Sequence, residues 1–203
     1  MGGVDDVDAA LLDRAARAIE DGDLVVYPTE TVYGLGAAAL DADAVERVFD
    51  AKRRDRSEPV SLAVPSVEAA RTVTRPTAHE LDFMREFLPG PVTVVVERGP
   101  DVPDVLTGGR DRVGVRVPDH EVALALLERV APVTATSANV SGRESARRVA
   151  ALDPEIREAT AVVVDGGETP GGGSTVVDVS AGEIHRRGPR ADDIEAWLQQ
   201  RSE

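Results

Sequence analysis

Short apolar runs rich in β-branched residues alternate along this chain with amphipathic stretches, and this alternation restricts its possible folds more than any other feature. The first run, Leu24–Tyr27, lies between two stretches with helical periodicity, 8–20 and 42–53. Apolar residues at helical spacing predict an amphipathic helix, whereas a short β-prone run that ends at a proline predicts a strand. Because interleaved strands and helices pack as layers on one sheet, we predict an α/β fold.

The same alternation continues towards the C-terminus. We predict further helices at 66–73, 77–87, 121–130, near 145–152 and at 192–200. Further strands are predicted at 60–64, 92–97, 113–117, 133–136, 161–164, 175–179 and 183–186. The late strands lie close together, which indicates hairpins and therefore a mixed sheet. The glycine-rich stretch 165–174 is predicted to be a functional loop or a disordered link.

The length of the chain fits one domain, so we predict a single domain over residues 1–203. The chain has no cysteine, which excludes disulfides, thiolate metal ligands and thiol nucleophiles. Its three histidines are far apart in sequence, so a zinc site is not expected. No apolar run approaches the roughly 20 residues that a membrane span needs, and the N-terminus is acidic, which indicates a cytoplasmic protein without a signal peptide.

The charge balance is strongly acidic and nearly free of lysine. The chain has 37 acidic and 23 basic residues, a net charge of −14, and Lys52 is its one lysine. Such a surface suits a cytoplasm of molar salt, where self-repulsion is screened within roughly 3 Å. We therefore hypothesise a halophilic archaeal source, and the alternative is an ordinary acidic bacterial protein. A salt-adapted protein should be stable above about 1 M salt and unfold below it.

Positive charge is nevertheless clustered in three segments. The stretches 52–56, 143–148 and 185–190 carry +8 in total with histidine neutral, which leaves −22 for the rest of the chain. Together they could form a local anion site on an otherwise repulsive surface. General RNA coating is disfavoured, because it depends on widespread basic contacts that salt weakens steeply. Any contact with RNA is expected to be weak.

Two polar loops directly follow predicted strands. The first, 28–36, reads Pro-Thr-Glu-Thr-Val-Tyr-Gly-Leu-Gly, and the second, 134–142, reads Thr-Ala-Thr-Ser-Ala-Asn-Val-Ser-Gly. Strand exits of this kind commonly hold ligands in α/β sheets. Local turn and capping bonds from hydroxyl side chains explain each loop almost as well. Each loop taken alone therefore leaves both interpretations open.

Two cations raise the same choice between a functional and a structural role. Lys52 begins the run Lys-Arg-Arg-Asp-Arg at the end of a predicted helix, where any cation would favour the helix dipole. Because arginine has replaced lysine elsewhere, residue 52 indicates a need for a compact ammonium, which binds phosphate from a flexible stem. Arg116, after Val113 and Val115, is either an exposed strand cation or a carboxylate ligand.

Six motifs follow one another in a specific order. They are Pro-Thr-Glu-Thr-x-Tyr-Gly-Leu-Gly at 28–36, Lys52-x-Arg54 with Pro59, Pro-Gly-Pro-x-Thr at 89–93, Val-x-Val-Arg-x-Pro-x-His at 113–120, Thr-Ser-Ala-Asn-x-Ser-Gly at 136–142 and Ser-Thr-Val-x-Asp at 174–178. Over about 15–190, the expected domain core, this series closely resembles the YrdC/Sua5 family of threonylcarbamoyl-AMP synthases. The chain looks like the short, YrdC-like form, because fewer than 20 residues follow Arg186 and no additional C-terminal Sua5 domain is expected.

The resemblance implies a fold and an activity. The fold is a twisted mixed sheet with flanking helices around a large, concave, positively charged cavity. The activity is that of a nucleotidyltransferase, which converts L-threonine, bicarbonate and ATP to threonylcarbamoyl-AMP and pyrophosphate. A downstream threonylcarbamoyl transferase complex then modifies adenosine 37 of tRNAs that read codons beginning with A. Mg²⁺ is expected to be held by the ATP phosphates rather than by protein ligands. Two alternatives are a carbamoyl-phosphate-dependent carbamoyltransferase and an RNA-binding module.

The resemblance also implies roles for individual residues. The expected catalytic residues are Lys52 and Arg54. The expected ATP-binding residues are Lys52, Arg54, Arg56, Ser137, Asn139, Ser145 and Arg186. The expected threonine-binding residues are Thr29, Thr31, Arg116, Thr136 and Ser174. The chain departs from the family pattern where Asp55 and Glu58 add carboxylates beside the basic run, where Arg112 replaces a small hydroxyl residue, and where 61–63 lacks a histidine that some members carry.

Overall fold

The computed structural model describes residues 7–200, so both ends of the predicted 1–203 domain lie outside the described range. The helices of this range are α1 Ala9–Glu20, α2 Ala42–Lys52, α3 Val67–Val73, α4 Ala78–Phe87, α5 Asp104–Thr107, α6 Glu121–Leu127, α7 Pro154–Ala159 and α8 Ala191–Gln200. The strands are β1 Leu24–Tyr27, β2 Gly34–Gly36, β3 Ser61–Ala63, β4 Val92–Glu97, β5 Arg112–Arg116, β6 Val133–Ser137, β7 Thr160–Val163, β8 Thr175–Asp178 and β9 Glu183–Arg186. None of the described helices is long and apolar enough to cross a membrane.

All the strands belong to one nine-stranded sheet in the order β7-β1-β2-β6-β3-β5-β4-β8-β9. The pairs β1/β7, β3/β5 and β4/β8 are parallel, and the other neighbours are antiparallel. The prediction of a mixed α/β sheet with flanking helices is therefore confirmed. The late strands β8 and β9 form the expected hairpin.

Two predictions of secondary structure are wrong. The loop 28–36 contains β2, which is Gly-Leu-Gly and has no β-branched residue to signal a strand. Its glycines let it lie against Tyr27, since a Cβ at Gly36 would be 2.9 Å from Tyr27 Cε1. The stretch 145–152 is not an α-helix but holds a three-residue 3₁₀ turn, Val149–Ala151. The α-helix begins later, at Pro154, because proline suits the first helical position.

Helix α2 directs the first residue of the basic run, Lys52, towards the interior of the protein. Asp41 caps its start by accepting hydrogen bonds from the backbone of Asp43 and Ala44. The helix ends at Lys52, and the next residue, Arg53, has a left-handed φ of 49°, the conformation that closes many helices. Val48 and Phe49 lie on the buried face together with Lys52. The position of Lys52 in the last turn thus points its side chain into the protein.

The two faces of the central strands differ sharply. Apolar residues that alternate along β3, β4, β5 and β8, such as Leu62, Val94, Val115 and Val177, pack against α3, α4 and α8 in the main core. Residues of the opposite face alternate with them and line a cavity, among them Thr93 and Gly114. Because alternate residues of a strand point to opposite sides, the core on one face fixes which side chains reach the cavity.

Candidate functional site

A cavity of about 740 Å³ lies over the polar face of the sheet. Glycine in the middle of β5 keeps it open. A Cβ at Gly114 would lie 2.4 Å from Ser61 Oγ and 2.9 Å from Thr93 Cγ2, so both side chains would have to move to accept it. The cavity is large enough for a nucleotide-sized ligand, because ligand sites commonly occupy roughly 300–1,000 Å³.

Five arginines and one aspartate contribute to the cavity wall: Arg54, Arg110, Arg112, Arg116, Arg186 and Asp178. Arg112 is engaged by carboxylates, because its Nη2 lies 2.8 Å from Glu80 Oε1 and 2.9 Å from Asp178 Oδ1. The same nitrogen donates to the backbone oxygen of Val95. Arg112 therefore ties the start of α4 to β4 and β8.

Arg116 lies beside the loop that follows β1. Its Nη2 is 2.9 Å from Glu30 Oε1, and both side chains are only 13% exposed. The same nitrogen donates to Thr31 Oγ1 at 2.9 Å, and Thr31 Oγ1 is 3.0 Å from Thr29 Oγ1. Burial raises the pKa of the neighbouring Tyr27 phenol to about 12, so that phenol stays neutral. This end of the cavity offers a guanidinium and hydroxyl groups, which suit a carboxylate.

A second guanidinium enters the cavity from β9. Arg186 donates from Nη2 to Ser174 Oγ at 2.8 Å and from Nε to the Ser174 backbone oxygen at 2.9 Å. Ser174 Oγ is also 2.8 Å from Thr93 Oγ1. Burial lowers the pKa of Arg186, and the nearby charges of Arg116 and Arg54 lower it further. Three cations therefore face one another across the cavity, an arrangement that an anionic ligand would stabilise.

Arg54 forms the opposite part of the wall, close to the end of α2. Its Nε donates to the backbone oxygen of Glu58, and its Nη2 donates to that of Pro59. The Glu58 carboxylate is 3.5 Å from Nη1. The departure from the family pattern at Glu58 thus places a carboxylate beside a predicted ATP ligand.

Lys52 lies behind the wall. The side chain belongs to a residue that is 1% exposed, and its Nζ donates to the backbone oxygens of Ser137 at 2.5 Å and Asn139 at 2.7 Å. The pKa of Lys52 is lowered to about 8, mainly by burial and also by the charge of Arg54, whereas the charge of Asp153 opposes the shift. A buried ammonium without a bonded carboxylate depends on such carbonyl dipoles for its compensation.

Nine of the twelve site residues predicted from the sequence line the cavity: Thr29, Thr31, Arg54, Arg116, Thr136, Ser137, Ser145, Ser174 and Arg186. Lys52, Arg56 and Asn139 do not reach its wall. Arg56 is exposed and paired with Glu46 and Asp50. The side-chain amide nitrogen of Asn139 donates hydrogen bonds to the backbone oxygens of Val140 and Arg143. Contact of these three residues with ATP stays a prediction.

Sequence reasoning gave no role to several residues of the site. Thr93 and Asp178 belong to the motifs 89–93 and 174–178. The motifs singled out these two residues but did not indicate that they line the cavity. Glu30 stands inside a recognised motif, but its pairing with Arg116 joins residues far apart in the chain. Arg110 and His185 also line the cavity; His185 begins the basic segment 185–190, whereas nothing in the sequence pattern distinguished Arg110.

Known proteins are similar in sequence to this chain over most of its length. The family model Sua5_yciO_yrdC, described as "Telomere recombination", matches residues 17–188. A relative named threonylcarbamoyl-AMP synthase from Pyrococcus abyssi is 42% identical over 169 residues, which are 82% of this chain and 50% of that protein. A protein of the same name from Bacillus subtilis is 34% identical over 174 residues, which are 84% of this chain and 50% of that protein.

A solved structure is also similar to this chain. The crystal structure of P. abyssi Sua5 complexed with L-threonine superposes with a TM-score of 0.79 at 40% identity, covering 87% of this chain and 54% of that chain. This chain therefore spans about half the length of the relatives it matches.

Proposed function

The chain belongs to the Sua5/YciO/YrdC family, and from this we propose that it is a threonylcarbamoyl-AMP synthase that uses L-threonine, bicarbonate and ATP. One observation supports the proposal above the others. Every residue predicted to bind threonine, and four of those predicted to bind ATP, line a single cavity. A synthase must bring an amino acid and a nucleotide together, because the two are joined in its product.

We propose that Arg116 pairs with the carboxylate of threonine while Thr31, Thr136 and Ser174 contact the rest of it. All four line the cavity. The named P. abyssi structure contains L-threonine, which agrees with an amino-acid site in this fold. Arg54 and Arg186 are then left for the phosphates of ATP, and Ser137 and Ser145 for the remainder of the nucleotide.

The chemistry requires no nucleophile from the protein. The threonine amine adds to the carbon of bicarbonate with loss of water, and the resulting carbamate oxygen attacks the α-phosphorus of ATP. The bond from the α-phosphorus to the bridging oxygen breaks, and pyrophosphate leaves. Fixed guanidinium groups stabilise the charge that develops on the phosphates. Catalysis on this account consists of positioning and electrostatic stabilisation.

Mg²⁺ enters this scheme as part of the substrate MgATP. Among residues 7–200 no group of three or more His, Asp or Glu side chains is placed to hold a metal ion. Mg²⁺ is proposed to bind the phosphates of ATP, because phosphate oxygens are ligands that it prefers. The product is proposed to pass to a downstream transferase complex that modifies position 37 of tRNA.

A pyrophosphate-release assay tests the proposal. Release that requires both threonine and bicarbonate supports the synthase, and mass spectrometry should detect threonylcarbamoyl-AMP. Turnover on carbamoyl phosphate would instead support a carbamoyltransferase, and tight tRNA binding without turnover would support an RNA-binding module. A matched pair of variants sharpens the result: Arg116→Met should raise KM for threonine strongly, whereas the exposed Arg129→Met should not. Arg129 pairs with Asp13 outside the cavity.

A further inference from the structure

The end of α2 holds the segment 137–141 at three points. Lys52 Nζ donates to the backbone oxygens of Ser137 and Asn139, and the Lys52 backbone oxygen accepts a hydrogen bond from the Ser141 backbone at 2.8 Å. An ammonium has three donors, of which two are engaged here. The side chain and the main chain of one residue therefore fix both ends of this turn.

The clamped segment carries groups that face the cavity. Ser137 lines the wall directly. Asn139 acts further along, since its Oδ1 accepts a hydrogen bond from Ser145 Oγ at 3.2 Å, and Ser145 also lines the wall. The positions of both serines depend on the path of the backbone from 137 to 141. That path is set from behind by Lys52.

We propose that Lys52 is a positioning residue, whose ammonium fixes segment 137–141 so that Ser137 and Ser145 are presented to the nucleotide. The inference rests on the proposed function for the identity of the nucleotide, but the clamp itself does not depend on it. This role differs from the direct contact with the triphosphate that the sequence resemblance implies. It follows from where the ammonium lies, because both of its bonds go to the protein backbone on the far side of the wall.

The chemistry of the site explains why a lysine stands here in a chain that otherwise uses arginine. Two carbonyl oxygens two residues apart converge on one nitrogen. A compact ammonium satisfies both, whereas the planar, wider guanidinium spreads its donors. The charged groups that face Lys52 are Arg54 from the segment after α2 and Asp153 from the start of α7, and they act on its pKa in opposite directions.

Nucleotide binding separates a positioning role from direct phosphate contact. Affinities for AMP and for ATP are measured by calorimetry on the wild type, on Lys52→Met and on Arg53→Met, an exposed neighbour paired with Glu155. We expect Lys52→Met to weaken AMP and ATP by the same factor, about tenfold to hundredfold, because both share the part that the segment contacts. Arg53→Met should leave both unchanged. A loss for ATP at least tenfold greater than for AMP would overturn the proposal.

Hydrogen exchange tests the clamp without any nucleotide. The backbone N–H groups of Ala138 and Ser141 are hydrogen-bonded to Tyr33 and Lys52. In Lys52→Met their protection factors should fall about tenfold or more, while those of β4 and β5 stay as in the wild type. Unchanged protection at Ala138 and Ser141 would overturn the proposal, and so would lost protection with unaltered nucleotide affinity.

Failure of the proposed function is recognised separately. If the wild type binds neither AMP nor ATP and releases no pyrophosphate, the synthase assignment fails, while hydrogen exchange still decides whether Lys52 holds the segment. Lys52→Gln keeps an N–H donor at the end of a similar stem and replaces the methionine variant should that one not fold. We expect Lys52→Gln to retain part of the protection that Lys52→Met loses.

Discussion

Two buried cations of this protein are compensated in different ways. Arg116, at the end of the cavity that we propose binds threonine, lies 2.9 Å from a carboxylate oxygen of Glu30. Lys52, behind the opposite part of the wall, is held by the two neutral carbonyl groups of Ser137 and Asn139. A guanidinium keeps its charge at any pH that proteins tolerate, and its paired carboxylate shares the cost of burial. A buried ammonium can instead lose its proton, so the two ends of the cavity should respond differently to mutation and pH.

The largest effect is expected from breaking the Arg116 pair. Arg116→Met leaves the Glu30 carboxylate, which is 13% exposed, without its cation. Removing one partner of a buried ion pair costs about 3 kcal/mol or more of the free energy of unfolding. Urea unfolding measures this loss. The double variant Arg116→Met with Glu30→Gln should regain most of it, and a double variant no more stable than the single one would contradict the pairing.

A smaller effect is expected from titrating Lys52. The pKa of Lys52 is about 8 in the folded protein, against 10.5 for the ordinary side chain. Between these values the unfolded chain binds more protons than the folded one, so the free energy of unfolding rises with pH. The rise should be at most roughly 3 kcal/mol, gained mostly across that window and completed above pH 10.5.

The Lys52→Met variant is the matched control for that titration. The difference between the wild-type and variant free energies of unfolding should rise from pH 8 to pH 10.5, because other titrating groups are common to both. Chemical unfolding at several pH values measures the difference. A flat difference would mean that Lys52 is not desolvated as the structure shows. Arg116 should add no such slope.

A conservative change of Lys52 should affect activity more than folding. Lys52→Arg keeps the charge but cannot place its donors on both carbonyls, so kcat/KM for pyrophosphate release should fall about tenfold or more. The melting temperature should change by only a few degrees. Unaltered activity would show that the lysine is dispensable to the site. Arg53→Lys, one residue away and exposed, is the matched reverse substitution.

The contrast between the two cations also shows how far the sequence can be interpreted. The strand Leu24–Tyr27 and the bounds of β4 and β9 were predicted correctly, because β-prone runs there end at proline, glycine or charged residues. Strand β2 was missed, because its pairing with β1 depends on the close fit of Gly36 to Tyr27 rather than on strand propensity. The false helix at 145–152 has helical composition, but the backbone oxygens of Ala146 and Arg147 accept hydrogen bonds from Tyr33 and Thr169 rather than from a following helical turn.

The sequence predicted which residues belong to the site better than it predicted how their side chains are arranged. Composition singled out Lys52, and the motif series selected Arg116. Neither could reveal which way each side chain points, because that depends on how α2 docks against 137–141 and how β5 faces the loop after β1. The role of Glu30 as the counter-charge of Arg116 was invisible for the same reason. Contacts between distant segments are properties of the folded chain rather than of local pattern.

The smallest effect on the free energy of unfolding is expected from Arg56. This exposed cation contrasts with Arg116, whose ion pair is largely shielded from solvent. Its Nη2 lies 2.6 Å from Glu46 and 2.7 Å from Asp50, and its side chain is 53% exposed. Arg56→Gln should lower the free energy of unfolding only slightly in dilute buffer, because exposed ion pairs contribute little to stability. The loss should vanish in about 1 M salt, where exposed charges are screened within roughly 3 Å.

Salt therefore separates the exposed pairs from the buried one. Urea unfolding of Arg56→Gln and Arg116→Met, each at low and at molar salt, gives four values. The loss in Arg116→Met should persist at molar salt, because ions do not reach a pair that is 13% exposed. Equal salt dependence in the two variants would mean that solvent reaches Arg116 and Glu30 freely, and the distinction between a paired buried cation and a screened surface cation would fail.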